Sequence, residues 1–417
     1  MKVTISVTGS RALVMGASLM LAAALLPGQP AHAAETKQQP TAKLAKPLHE
    51  AQEDLKAKKF TEAIGKLKEA DAMPEKKPYD QHVINDFLAF AYINTQNYAE
   101  AAKVIEAELD DGVTPESEKP QKLRQLTEIN YQLKNYDKVI DFGNRLNKTG
   151  GADERLRTII GQAYYLKNDY KGTLKYEEGL ADSQIKAGET PKKDTLLLVY
   201  SSCQKLNDDA CQTRAMERLV AYYPQPDYWS QLLYSLRSQT SSNDANLLQT
   251  YRLMAEVDVL KTPQDYNEMA QLALEAGSPG EAASVLEKGM QKNVFTDKLT
   301  KDRNARLLEN AKKAAATDQA SLPRLEKEAD AASTGQKNVG VGIAYLGYGQ
   351  YDKAADELSK GLTKGSVKDE AQTRLLLGIA QLKAGHKDDA VKSFKAVKGD
   401  PALERLANLW GLHAKQA

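Results

Sequence analysis

Apolar residues recur three and four positions apart along most of this chain, in short stretches separated by polar turns. That period lays one apolar stripe along an amphipathic helix. Small residues mark the stripes at a fixed step. Twelve residues separate Ala89 from Ala101, Ala270 from Ala282, Gly342 from Ala354 and Gly378 from Ala390. Each pair joins two helical stretches across a polar turn, which predicts antiparallel helix pairs that cross at small residues. A single hairpin cannot bury its own apolar face, so stacking must supply the core.

Read in this way, the repeats run over residues 48–296 and resume as two further hairpins over 334–400. Residues 34–47, polar and with two prolines, read as a flexible lead-in. The Ala- and Lys-rich stretch 297–333 lacks the clean spacing and reads as a helix pair broken near Pro323. The polar run SQTSSNDAN reads as a long turn before a helix from Leu247. In 401–417, Leu403, Leu406, Leu409 and Trp410 share a face and predict a capping helix over the last hairpin. An aromatic residue stands before several second helices (Tyr98, Tyr136, Tyr170, Tyr351), where it can fill the wedge between hairpins.

These residues resemble the tetratricopeptide repeat family. Ile343-Ala344-Tyr345, then Gly349-Gln350-Tyr351 and Ala354, follow its order of small residue, aromatic, polar turn, aromatic and Ala. Residues 85–109, 266–290, 338–362 and 374–398 match best. Residues 123–146 and 157–180 carry Val139 and Thr173 where Ala is usual, and the fifth, sixth and eighth units match poorly. The resemblance implies an all-α fold: a right-handed superhelix (α-solenoid) of about nine to ten hairpins plus the capping helix. It also implies binding of a protein or peptide along a concave groove. A narrower likeness covers residues 217–290. There ERLVAYYPQPDYWSQL and the stretch from Thr262 are similar to periplasmic repeat proteins of proteobacteria, some of which accompany TonB–ExbB–ExbD systems.

Composition changes the picture at the N-terminus. Lys2 and Arg11 precede an apolar run, residues 12–26, and Ala31-His32-Ala33 closes the segment as an A-x-A cleavage site. Residues 1–33 therefore read as a signal peptide, with an uncleaved anchor as the alternative, and the expected location is periplasmic or secreted. Removing them takes two basic residues and no acid. The formal charge then passes from +1 to −1, with 55 basic against 56 acidic residues, a balance unlike that of a general nucleic-acid binder. Cys203 and Cys211 flank the predicted turn Asn207-Asp208-Asp209. In an oxidising compartment they would pair as a disulfide; two separate buried thiols are the alternative.

Sites of chemistry are not legible. The five histidines are scattered, and neither HExxH, GxSxG nor a phosphate-binding loop ending in Lys-Ser or Lys-Thr occurs. The stretch from Gly340-Val341-Gly342 to Gly347 lies in a hairpin helix, and its third glycine is misplaced for a dinucleotide loop. The carboxylates read as solvated helix faces. No catalytic residue, cofactor site or metal site is assigned, and the chain reads as a non-enzyme. The candidate binding groove is the stripe of the first helices: Phe90, Ile93, Gln162, Tyr165, Gln271, Leu274, Ile343, Leu346, Ile379 and Leu382. Each of these could equally pack between neighbouring helices. The Lys and Asn clamp with which some relatives grip a terminal carboxylate is missing, so an extended segment or a helix is the expected occupant. The expected role is a scaffold or adaptor for another envelope protein. The alternatives are an accessory of a TonB-type or cell-envelope assembly complex, and a self-assembling structural component, so the oligomeric state stays open.

Overall fold

The computed structural model describes residues 39–416. The proposed signal segment lies outside them. Twenty α-helices and no strand occur among the described residues. In chain order they are α1 (Ala42–Lys56), α2 (Phe60–Asp71), α3 (Pro78–Asn94), α4 (Tyr98–Leu109), α5 (Lys119–Gln132), α6 (Tyr136–Lys148), α7 (Glu154–Leu166), α8 (Tyr170–Lys186), α9 (Lys193–Lys205) and α10 (Asp209–Tyr222). They continue with α11 (Pro226–Thr240), α12 (Asp244–Glu256), α13 (Pro263–Glu275), α14 (Pro279–Gln291), α15 (Lys298–Ala331), α16 (Gln336–Gly347), α17 (Tyr351–Lys364), α18 (Glu370–Lys383), α19 (Lys387–Lys395) and α20 (Pro401–Gln416). No described helix is long and apolar enough to cross a membrane. The chain forms two compact units, the first ending at Asp208 and the second beginning at Asp209.

One turn geometry joins the helices of eight pairs. A single residue takes a left-handed conformation: Lys58, Gln96, Lys134, Asn168, Asn207, Gly277, Gly349 or Gly385. The next N–H then reaches the carbonyl five residues back, as in Asn97 to Tyr92 (2.8 Å), Asn135 to Asn130 (2.9 Å) and Gln350 to Tyr345 (3.0 Å). This arrangement satisfies carbonyls that a helix end leaves orphaned. Glycine enters the conformation freely, whereas the other residues do so at about 1 kcal/mol. The cysteine-bearing turn belongs to the set, with Asp208 N–H bonded to the Cys203 carbonyl at 3.1 Å, although its sequence matches the repeat poorly. Both cysteines are disulfide-bonded and neither is free. Closing so short a loop stabilises by about 2–3 kcal/mol in the chain-entropy model. The Cys203→Ser, Cys211→Ser double variant should lose that amount in denaturant unfolding. A wild-type curve unchanged by reductant would show that the bond contributes nothing.

Small residues allow close crossings, as the twelve-residue step predicts. Ala101, Ala270, Ala282, Ala354 and Ala390 are fully buried. A Cβ on Gly342 would stand 2.7 Å from Leu358 Cγ, and one on Gly378 would stand 2.5 Å from the Phe394 ring. In the first unit, first helices also meet one another: α1 touches α3, α5 touches α7, and α7 touches α9.

Three expectations change. The lead-in is helical from Ala42, because Leu44 continues the buried stripe of Leu48, Ala51 and Leu55, and because the Asp80 carboxylate accepts from Thr41 N–H (2.7 Å) and Oγ1 (2.5 Å). The long polar turn shrinks to residues 241–243. Thr240 Oγ1 returns to the Leu236 carbonyl at 3.0 Å, and the Asn243 side chain accepts from Asn246 N–H at 3.0 Å and starts α12. The supposed helix pair over 297–333 is the single helix α15, which runs through Pro323. One helix bond is forfeited there, to the carbonyl four residues earlier. Packing compensates at both ends. Asn304 accepts from Asn267 of α13 at 2.7 Å, and the C-terminal half accepts from Tyr348 (Asp318, 2.6 Å) and from Tyr345 of α16 (Glu326, 2.9 Å).

The last helix does more than cover α18 and α19. Trp410, fully buried, stacks on Phe394 of α19 at 6.1 Å, and His413 meets Trp229 of α11 edge-on at 6.3 Å. Arg405 pairs with Glu217 of α10 at 3.0 Å, and Gln416 donates to the Val220 carbonyl at 3.0 Å. Glu256 of α12 lies between His413 (3.6 Å) and Lys383 of α18 (2.5 Å). The nearby His413 ring and the Lys383 charge hold its carboxyl at about 2 against the opposing effect of burial. Within the second unit, α20 thus joins the first three helices to the last two.

Candidate protein-binding site

The shared turn puts successive first helices in one register, so a residue's place on the stripe follows from its distance to the turn. On α3 the stripe carries Phe90 and Ile93, on α7 Gln162 and Tyr165; all four are half-buried. Their contacts run between neighbouring hairpins as well as within one. Phe90 meets the Phe60 ring edge-on at 5.9 Å. Tyr131 Oη, on α5, donates to Gln162 at 2.6 Å. Tyr165 Oη lies 2.7 Å from Ser201 Oγ on α9, and its ring meets Tyr170 edge-on at 5.4 Å. The Tyr131–Gln162 and Tyr165–Ser201 contacts repeat one pairing: the residue four before the turn's left-handed residue plus one touches its counterpart, three places earlier in register, on the next first helix. The stripe of the first unit therefore both fastens hairpins and keeps part of each side chain in contact with solvent.

In the second unit the stripe is less uniform. Gln271 is exposed, and Leu274, Ile343 and Leu346 are half-buried. Ile379 and Leu382 are buried at 2% and 9% exposure and present almost no surface. Both lie on α18, which packs against α17, α19 and α20, so the closing helix takes part in covering the helix that the sequence places in the groove.

Several carboxylates that read as solvated are buried. Glu108 of α4 is fully buried, and its Oε2 accepts from Lys122 Nζ of α5 at 2.9 Å; the same ammonium donates to Asp86 of α3 at 2.8 Å. Burial, then the nearby Asp86 charge, pushes the Glu108 carboxyl up, against the pull of Lys122. His82 of α3 completes the group: its Nε2 lies 3.5 Å from Asp86 Oδ2 and its Nδ1 lies 2.8 Å from Asp111 Oδ2. Asp111 is itself held by the backbone N–H groups of Val113 and Thr114, each at 2.8 Å. Sequence reasoning missed this cluster because its members come from three helices and a loop. Only the spacing His82–Asp86, one helical turn, was visible in advance. Glu177 of α8 is a second case, seated in the space left by the absent side chain of Gly161 on α7. Burial raises its carboxyl to about 7, partly offset by a hydrogen bond with Thr195.

No protein-family model and no curated protein matches the chain. Solved structures are similar to it at low identity. The TPR2AB-domain:pHSP90 complex of yeast Sti1 is 12% identical over 71% of this chain and 98% of that one, with a TM-score of 0.24. A tetratricopeptide repeat protein from Parabacteroides merdae is 13% identical over 70% and 99%, with a TM-score of 0.25. Yeast Tom70 is 10% identical over 90% and 96%, with a TM-score of 0.24. Superpositions this loose assign no partner or activity to this chain. Its own residues are more telling: one left-handed turn recurs eight times, and small residues at the crossings are followed by aromatics at the second-helix starts. By those features each unit is built of antiparallel helical hairpins that cross at small residues and resemble those of tetratricopeptide repeats.

Proposed function

We propose that this protein is a non-catalytic scaffold of the bacterial envelope that binds another protein along the first-helix stripe of its first unit. The observation that carries the reading is the stripe itself. Phe90, Ile93, Gln162 and Tyr165 stand in register on successive hairpins, are held in place by contacts such as Tyr131–Gln162, and remain partly exposed. Apolar and aromatic side chains with a few amides suit an extended segment or one face of a helix. Pre-set side chains also lower the ordering cost of binding. Export is supported by the basic start, the apolar run and the Ala-x-Ala end of residues 1–33.

The test is site-specific photo-crosslinking in the native cell. A photoreactive side chain at Ile93 or Tyr165 should yield the same partner adduct. The same group at Lys103 or Lys171, both exposed on second helices, should yield none. Equal adducts at all four positions, or adducts only at the lysines, would reject the stripe as the binding face. Protein recovered from the envelope fraction should begin at Ala34; a chain retained in the cytoplasm with Met1 intact would reject the location.

A further inference from the structure

We propose that His82, Asp86 and Glu108 form a binding site for a first-row divalent metal ion of the zinc type, in which the ion displaces the ammonium of Lys122. One donor atom from each of the three residues lies within 4.8 Å of the others. Tetrahedral zinc, with bonds of about 2.0–2.2 Å, sets its donors about 3.3–3.6 Å apart. His82 Nε2 and Asp86 Oδ2 already have that separation, at 3.5 Å. Asp86, whose side chain is 45% exposed, would close the remaining gap once Lys122 releases it.

Two further observations point to a ligand. Glu108 Oε1 is buried and has no hydrogen-bond partner, on a residue with no exposed surface. Coordination would recover the cost of an acceptor orphaned in this way. The His82 ring is also fixed from behind. Its Nδ1 is bonded to Asp111, and Asp111 is anchored by two backbone N–H groups, so Nε2 is left toward Asp86. A carboxylate behind the imidazole is the usual way in which a metal-binding histidine is oriented and made more basic. The position between Asp86 and Glu108 is already a cation position, because Lys122 Nζ lies 2.8 Å from one and 2.9 Å from the other. The ammonium sits on a flexible four-carbon stem and can withdraw. A divalent ion then replaces a single charge opposite two carboxylates, and the imidazole favours zinc or cobalt over calcium or magnesium. Three protein donors leave a fourth position for water.

Chelator-treated full chain is titrated with Co2+, read by visible absorption, and with Zn2+, read by equilibrium dialysis. One equivalent should bind. His82→Ala and Glu108→Gln should each weaken binding at least about tenfold. Lys122→Met should tighten it about tenfold or more, since the competing cation is gone; a purely structural ion pair would not give that result. In the unmutated protein, zinc should shift the ring signals of His82 and leave those of His49, His386 and His413 in place, a readout that needs no variant to fold. Absence of a tight equivalent, an unchanged His82 spectrum, or equal affinity in wild type, His82→Ala and Lys122→Met would overturn the site.

Discussion

Gly335→Ala is expected to destabilise the second unit by about 3 kcal/mol or more, the range of severe overpacking. Its melting temperature should fall by about 6–12 °C. The cause is space, since Gly335 has an ordinary backbone conformation (φ −78°, ψ −8°). Its Cβ would overlap the carbonyl oxygen of Gly361 on α17, and its N–H donates to the Gly365 carbonyl at 2.8 Å. Gly361 faces it with equal need: a Cβ there would lie 2.9 Å from Val339 Cγ2 and 3.1 Å from the Gly335 carbonyl oxygen. Backbone meets backbone at this crossing, so no side chain can rotate away. Gly340→Ala on α16 is the control. Nothing lies within 4 Å of its Cβ, and helix propensity predicts a gain of about 0.5–1 kcal/mol. Calorimetry of the two variants decides, and a Gly335→Ala protein as stable as wild type would refute the crossing.

Glu177→Gln is expected to remove a pH dependence. The carboxyl of Glu177 sits at about 7 in the folded chain against 4.5 for an unperturbed glutamate, mainly because it is buried. Between those values the folded state holds a proton that the unfolded state has released, so stability falls as pH rises through the window. Above it the charged, buried form costs about 3 kcal/mol, from 1.36 kcal/mol per unit. Glutamine keeps the shape that fills the Gly161 notch and carries no charge. Wild type should therefore lose stability from pH 5 to pH 8 relative to the variant, and the variant should be the more stable at pH 8. Parallel urea-unfolding stabilities at the two pH values would show that Glu177 titrates normally.

Most of the helix order could be read from the pattern because its causes are local. A Gly or Ala on the stripe, a turn, an aromatic and an Ala lie within a few helical turns of one another. The turn fixes their register, as at Gln96-Asn97-Tyr98. The failures have local reasons of another kind. Proline and a polar run read as breaks at Pro47, Pro323 and residues 238–246, yet packing and side-chain caps carry the helices through or restart them at once. The cysteine turn reads as irregular because its side chains depart from the repeat, while its backbone adopts the same left-handed residue at Asn207. The stripe was legible as a set of positions, but the exposure of each member was not. Ile379 and Phe90 occupy the same place in their repeats, and only the first is buried.

The sequence by itself determined that this chain is a series of helical hairpins crossing at small residues, because helix period, turn and crossing are set by neighbours in the chain. Tertiary structure alone decided which polar groups leave water and where the second unit closes. Glu108 is buried by helices that approach from either side, and no residue near it in sequence announces that. Gln416 and Val220, and likewise His413 and Glu256, meet across more than a hundred residues. Such contacts depend on the small rotation added by each successive hairpin, a sum that no local pattern records.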